Sequence, residues 1–485
     1  MNEPVAHSRP PPLRGTVALG ESPARQNVMP NDGTSALPGS RWTRWTRRVA
    51  SAALDAGAAA VTWLAFHAYV GRCTVLHRER FPRTGATLVL ANHPAIWLDV
   101  VVLDAALARP LRFLAQDTLY RPWPRGWLLD WFGSLRVARS ALPHLPSPAN
   151  ADLSRRTSER FDRGEAIAVF PEGESAGDRS LGPLRTGAAR IALGYHARHR
   201  LPLAVVPVGI HYADRLRARS AVVLDLGRPL DLTPYATLAT IDPERAVRDL
   251  TEHMRRELSR RIVDAGLGEI GAVITGVETA VGFEHAAAQF ARLRALARRL
   301  HALVRLEPER FRALRRASRI LERAGQALHV RGALADPPRR TLAARIALGT
   351  LGVPIAALGA TAHVLPWAVT EWIARRWARD PNHLGFARIT AGLVLFPAAY
   401  IGWAWVLTRE FGFQPIEVGA ILALLPFTGL CAWWHAGWLT QASDRWRVTR
   451  LRRTHPALHA RIAVARARLA GPRRPRAPRT RVRGA

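Results

Sequence analysis

The chain contains no lysine; the 70 Lys and Arg positions counted over its 485 residues are all arginine. It has two cysteines, Cys73 and Cys431, far apart and in segments of different character, which excludes a disulfide scaffold or a cysteine-built metal site. Acidic residues are scarce too, 37 against those 70 cations, giving a formal net charge of +33 and a pI near 11.7. Arginine without lysine, beside abundant alanine, is the composition of a GC-rich coding sequence, so part of this charge is mutational in origin. It is physically real all the same. A surface this basic is drawn to anionic headgroups, each basic side chain near the membrane adding about 1 kcal/mol. Nucleic-acid binding is the competing use of such charge, but the recurrent nucleic-acid-binding motifs do not occur, and nucleic acid is not expected as a partner.

What is present divides into modules. Residues 1–40 are rich in Pro, Ser and Gly without periodicity and read as a disordered arm. A cluster of Arg41, Trp42, Arg44, Trp45, Arg47 and Arg48 then precedes an apolar stretch from Val49 to Val70 that contains Asp55 and His67. Aromatic and basic residues beside an apolar helix predict an interfacial or membrane-dipping helix over 41–75. It begins too deep in the chain for a signal peptide.

Next comes an apolar run that ends on Asn92 and His93, within ANHPAIWLD, with Asp99 six residues after the histidine. A strand that delivers a histidine to the mouth of a sheet, followed by a carboxylate one and a half helical turns on, supplies a general base and the group that orients it. Four more segments follow. FLAQD spans Phe113 to Asp117, and GSLRVARS, Gly133 to Ser140, alternates as a strand ending on Arg139. AIAVFPEGES is apolar from Ala166 to Phe170, breaks at Pro171, and leaves Glu172, Gly173, Glu174 and Ser175 on a loop. After GPLRTGAARIALG, a loop entering a helix, LAVVPVGIHY runs from Leu203 to Tyr212. Continuous apolar runs of this length are buried strands of a mostly parallel sheet, whose ligands lie beyond the carboxyl ends. The expected catalytic domain, residues 76–235, is thus α/β, a mixed, largely parallel sheet with flanking helices.

In order and content these blocks resemble the glycerolipid acyltransferase superfamily, which contains glycerol-3-phosphate and 1-acylglycerol-3-phosphate acyltransferases. The resemblance covers roughly residues 85–230: Asn92, His93 and Asp99; Gly133 to Arg139; Phe170 to Ser175; Val206 to Gly209. Five residues separate His93 from Asp99, beginning with Pro94, which is similar to the NHPN branch of the family; LRTGAARIAL resembles that branch as well. The resemblance implies transfer of a fatty acyl group from acyl-CoA or acyl-carrier protein to glycerol 3-phosphate or lysophosphatidate. It implies no cofactor beyond that acyl donor and no metal.

The residues fit this chemistry. An alcohol is a weak nucleophile near pH 7, so attack on a thioester needs a base, a role worth about 10²–10⁴-fold. His93 suits it, and Asp99 can hold the ring tautomer and stabilise the imidazolium. Arg139 is the bidentate candidate for an acceptor phosphate. By resemblance Glu172 and Gly173 belong to the acceptor site, Gly173 letting backbone approach a ligand and Glu172 binding a glycerol hydroxyl or orienting Arg139. Arg185, on the loop before Gly187, is a second anion candidate.

Helical periodicity dominates residues 236–335, a cap or a coiled hairpin, and a linker follows at 335–340. Over 341–440 the chain turns hydrophobic. Ile346 to Val369 is uncharged but contains Pro354 and Pro366; Ile389 to Thr408 and Ile416 to Thr440 each suffice to cross a bilayer. Arg375, Arg376, Arg379 and Arg388, and the basic tail over 441–485, belong on the cytoplasmic side by the positive-inside rule. With the catalytic domain on that side too, parity favours the Pro-containing segment as a re-entrant hairpin ahead of two spans; the alternative is three full spans, which would send the basic tail outside. An integral membrane enzyme is expected. The alternatives are a catalytically inactive lipid-binding scaffold and, more weakly given the absence of evident buried charged pairs, a transporter.

Overall fold

The computed structural model describes residues 62–470 apart from 64, 68, 121–125, 127–128, 131–132, 138–147, 174–179, 200–201, 215–218, 267, 282–285, 329–348 and 379–383. The arm over 1–40, most of the helix expected at 41–75, Arg139, Glu174, Ser175, the 335–340 linker and the tail past 470 lie outside the described residues.

Seven strands form one sheet: β1 (Val70–Leu76), β2 (Thr87–Ala91), β3 (Leu111–Gln116), β4 (Leu135–Val137), β5 (Ala166–Val169), β6 (Ala204–Tyr212) and β7 (Ser220–Leu226), in the order β1-β7-β6-β2-β5-β3-β4. From β6 to β4 every pairing is parallel, while β7 runs antiparallel to β6 and β1 parallel to β7. The carboxyl ends of β2, β3, β5 and β6 therefore share one edge. The first residues of β1 and β7 lie at that edge too, because Val222 pairs with Tyr212 and Val70 with Ser220. Residues 70–75, assigned to the interfacial helix on sequence, are in fact strand β1; its partner lies some 150 residues on, a non-local pairing that local composition does not reveal.

The apolar runs lack a polar face because both faces are covered. Val89 and Ala91 pack with α1 (Trp97–Ala106) through Leu98, Val102 and Leu103. Leu88, Leu90 and Ile167 face the other way, onto α2 (Pro148–Asp162), α3 (Gly187–His199) and, beyond a short α4 (Thr233–Ala239), α5 (Pro243–Ser259). Helix α5 was placed with the extension on sequence, but Ala246, Val247, Leu250, Met254 and Leu258 lie in the sheet's own core. Asp242 caps it by accepting the Arg245 N–H at 2.9 Å.

The remaining extension, α6 (Glu269–Val281), α7 (Ala286–Leu306) and α8 (Pro308–Leu328), builds a separate core that takes in Val223 of β7. The fully buried Asp225 ties it to the sheet: His77 Nδ1 lies 2.8 Å from its carboxylate, and Arg294 and Arg261 approach the other oxygen. The extension is thus a side domain against β1 and β7.

Three long apolar helices follow, α9 (Val353–Trp377), α10 (Leu384–Arg409) and α11 (Pro415–Thr454), each long and apolar enough to cross a membrane. The first of them is one continuous helix and carries no hairpin bend. Pro354 falls in the first turn of α9, where its missing N–H costs nothing, and Pro366 is accommodated within one continuous helix. Gly359 lets α9 and α11 approach closely, since a Cβ there would lie 2.0 Å from the Thr428 carbonyl oxygen. The last helix, α12 (Pro456–Ala470), returns to the extension, placing Ile462, Ala465 and Leu469 in its core beside Leu451 of α11.

Candidate active site

Strand β2 stops at Ala91, but its ladder to β6 is continued by a side chain. Asn92 Nδ2 donates to the Ile210 carbonyl at 3.1 Å, and the Ile210 N–H donates back to Asn92 Oδ1 at 2.7 Å. The backbone is thereby released at the sheet edge without leaving Ile210 unpaired. It turns through Ile96, whose φ of +46° is strained for a β-branched residue. Helix α1 begins at Trp97, and Asp99 sits in its first turn, where the helix dipole favours a carboxylate.

This turn brings Asp99 back to the histidine. Its side chain is fully buried and accepts from His93 Nδ1 at 2.9 Å, the Ala95 N–H at 2.8 Å and the Tyr212 hydroxyl at 2.7 Å. A carboxylate with three donors keeps the proton on His93 Nδ1, so Nε2 carries the lone pair. The imidazole lies flat on Phe170, ring centroids 3.8 Å apart at 13°, and Phe113 extends the stack. Its side chain is 16% exposed, enough for a substrate to reach it from the sheet edge. Burial, then the neighbouring Asp99 charge and hydrogen bond, push the Tyr212 phenol well above its ordinary range, so it stays a neutral donor.

The loop after β5 locks onto the same turn. Glu172 accepts the His93 N–H at 3.1 Å on one oxygen and the Gly182 N–H at 3.0 Å on the other. Its carboxylate is thus occupied by backbone, a role beyond the hydroxyl binding or Arg139 orientation considered on sequence. Burial raises the Glu172 carboxyl above its ordinary value, while those two N–H groups pull it down. Gly173 has φ +74°, and a Cβ there would stand 2.3 Å from Arg185 Nε, so the exposed Arg185 side chain lies over this glycine. Gln116, at the end of β3, donates to the Gly173 carbonyl oxygen.

His93, Asp99, Glu172, Gly173 and Arg185 are therefore brought together at one edge of the sheet. Arg139 follows β4 and lies outside the described residues. Sequence inspection missed Tyr212, Gln116 and Phe170 as parts of the site. The available signal was positional: each sits at the end of a predicted parallel strand, or one residue past it. Among the described residues no group of His, Cys, Asp and Glu could hold a metal ion.

Residues 72–211 match the family model described as Acyltransferase. This segment is similar to acyltransferase domains. Glycerol-3-phosphate O-acyltransferase 2 of Saccharomyces cerevisiae is 35% identical over 111 residues, 22% of this chain and 15% of the yeast protein. Lyso-ornithine lipid O-acyltransferase of Pseudomonas aeruginosa is 34% identical over 126 residues, 26% of this chain and 43% of its own length. The matches thus span less than half of either relative. The crystal structure of the 1-acyl-sn-glycerophosphate acyltransferase PlsC from Thermotoga maritima aligns with a TM-score of 0.32 at 18% identity, covering 43% of this chain and 82% of that one. The matched segment holds the whole His93 and Asp99 turn and all but the last residue of β6; Tyr212 is the residue just past its end.

Proposed function

We propose that the chain is a membrane-bound O-acyltransferase that moves a fatty acyl group from acyl-CoA or acyl-carrier protein to the hydroxyl of 1-acylglycerol 3-phosphate or glycerol 3-phosphate. The observation that carries this is the His93–Asp99–Tyr212 chain in a segment similar to acyltransferase domains. His93 Nε2 takes the proton from the acceptor hydroxyl as its oxygen attacks the thioester carbonyl. The tetrahedral adduct collapses with cleavage of the C–S bond, and the departing thiolate receives the proton from the imidazolium. No protein nucleophile enters, and Asp99 stabilises the transient positive ring. Phe170, face-on to that ring, adds a cation–π contribution of about 0.5–2 kcal/mol. Arg139 and Arg185 are the cations proposed to take up an acceptor phosphate.

A second acceptor is favoured by a separate observation, the similarity to a lyso-ornithine lipid O-acyltransferase over 26% of the chain. Attack of an acceptor hydroxyl on a thioester is common to both readings. The catalytic domain is proposed to face the cytoplasm, in line with Arg375, Arg376 and Arg388 near its edge.

The experiment is acyl transfer by purified full-length chain in lipid nanodiscs, offering glycerol 3-phosphate, lysophosphatidate and lyso-ornithine lipid with each acyl donor and identifying products by mass. One acylated product with one preferred acceptor is expected, lost in His93→Ala. No product from any pair, or full activity in His93→Ala, would refute the proposal.

A further inference from the structure

The three apolar helices touch the folded domain at three places, and together these places fix how the chain passes through a bilayer. The first is the end of α8, where Arg447 of α11 donates to the Leu328 carbonyl oxygen at 3.4 Å. The second is the junction of α9 and α10. Arg388 Nε and one terminal nitrogen form a bidentate pair with Glu371 at 2.8 and 2.9 Å, Arg375 adds a bond to Glu371 at 2.8 Å, and the other Arg388 terminal nitrogen reaches the Tyr69 hydroxyl at 3.4 Å. Tyr69 belongs to the sheet's core, and Ile389 of α10 packs against that same core. The third place is α12, buried in the extension core beside Leu451.

Sheet, extension and α12 make one folded body with a charged exterior, and such a body lies on one side of a membrane. The chain is therefore on that side at Leu328, again at Glu371 to Arg388, and again from Leu451 onward. Between consecutive anchors the number of crossings must be even. Between Leu328 and Glu371 the described chain has one apolar helix, α9, and the sequence of 329–348, with Arg331, Asp336, Arg339, Arg340 and Arg345, is too charged to cross, so α9 cannot traverse. Between Arg388 and Leu451 it has two, α10 and α11, which can cross as a pair.

We propose that α9, although long and apolar enough to span, enters the bilayer from the domain side without traversing it, and that only α10 and α11 cross. The partner is the acyl-chain region of the bilayer. A stripe of Ala356, Gly359, Ala362, Pro366, Thr370 and Ala374 on α9 is buried against its neighbours, whereas Ile355, Leu358, Leu365 and Trp372 are exposed and apolar. The joint at Glu371, Arg388 and Tyr69 sits where β1 begins, at the edge that carries His93 and Tyr212. It follows that α9 places lipid beside the mouth of the active site. This consequence rests on the acyltransferase reading; the topology does not.

The test is topological and reads no activity. In full-length chain with Cys73→Ala and Cys431→Ala, single cysteines are introduced by Leu351→Cys before α9, Trp377→Cys at its end, Phe411→Cys between α10 and α11, and Leu458→Cys in α12, with Ile241→Cys as the domain marker. Each is exposed in the structure. A membrane-impermeant maleimide is applied to sealed vesicles before and after permeabilisation. Positions 351, 377 and 458 are expected to label with the marker at 241, and position 411 only from the opposite face. Position 351 labelling with 411 would make α9 a span and overturn the proposal, as would 458 labelling with 411. Position 411 labelling with 241 would overturn the crossing pair. Loss of the 377 pattern in Arg388→Met, with 458 unchanged, is expected if the Glu371–Arg388 joint holds that anchor; an unchanged pattern removes the joint from the proposal.

Discussion

Replacing Asp99 by asparagine separates charge from geometry at this site. Asp99 Oδ2 accepts two N–H donors, from His93 and Ala95, and Oδ1 accepts the Tyr212 hydroxyl. An asparagine has one orientation that suits this: its oxygen toward the two N–H groups and its NH₂ toward Tyr212, whose hydroxyl can turn to accept. All three contacts survive, His93 keeps its Nδ1 proton, and the fold is retained. The loss is the negative charge opposite the imidazolium. Hydrogen bonds to charged groups contribute about 1.5–3 kcal/mol against about 1 for neutral ones. The bond is kept but its charge assistance is lost, a difference of about 0.5–2 kcal/mol, which is expected to lower kcat by about 2- to 30-fold at about 1.4 kcal/mol per factor of ten. The KM for the acceptor should change little. The assay is steady-state acyl transfer in nanodiscs, with circular dichroism melts as the check on folding. Asp99→Ala is the contrast: it strips acceptors from three buried donors at about 1–3 kcal/mol each and should unfold the turn itself. Wild-type kcat in a folded Asp99→Asn would show that the carboxylate charge is irrelevant. A loss beyond about 10⁴-fold with the melt unchanged would show the wrong tautomer instead, contradicting the orientation set by Tyr212.

Other substitutions probe the supports. Asn92→Ala leaves both Ile210 backbone groups unpaired at a position only 2% exposed, so a loss of about 2–5 kcal/mol is expected in chemical denaturation; a loss under about 0.5 would mean that the β2–β6 ladder does not depend on it. Gly173→Ala adds a Cβ against Arg185 at φ +74° and should cost about 1–2 kcal/mol and raise the acceptor KM; unchanged acceptor kinetics would detach Arg185 from the acceptor site. For Glu172 the sign follows from its raised folded value. The folded state holds this proton more tightly than the unfolded chain, so the group's contribution is full below the ordinary carboxyl range and is lost as pH rises through the folded value. Glu172→Gln does not titrate, so its stability relative to wild type should improve as pH rises above the ordinary carboxyl range, and a difference constant with pH would refute the assignment.

The order of blocks from Asn92 to Tyr212, with apolar runs ending on polar residues, was enough to read a buried, mostly parallel sheet and to single out His93 with Asp99. Those features are local: a strand buried on both faces must be apolar, and chemistry must sit where the apolar run stops. What local sequence did not carry were contacts between distant segments. Strand β1 was hidden because its identity depends on pairing with β7. Helix α5 was assigned to the wrong layer because its amphipathic face suits either core equally. Tyr212, at 113 residues from Asp99, was out of reach of any motif.

The membrane region makes the same division. Length and composition set three helices that can each cross a bilayer, since that property is summed along one segment. Whether each does cross is set by where their ends are held. The Glu371–Arg388 pair with Tyr69, and the seating of α12 in the extension core, join residues tens to hundreds of positions apart. Sequence alone thus determined the reaction chemistry on offer and the apolar segments, both local in the chain. Only the tertiary structure decided what orients Asp99, what occupies Glu172 and where the apolar helices are held against the folded domain, because each depends on closing long loops of chain into contact.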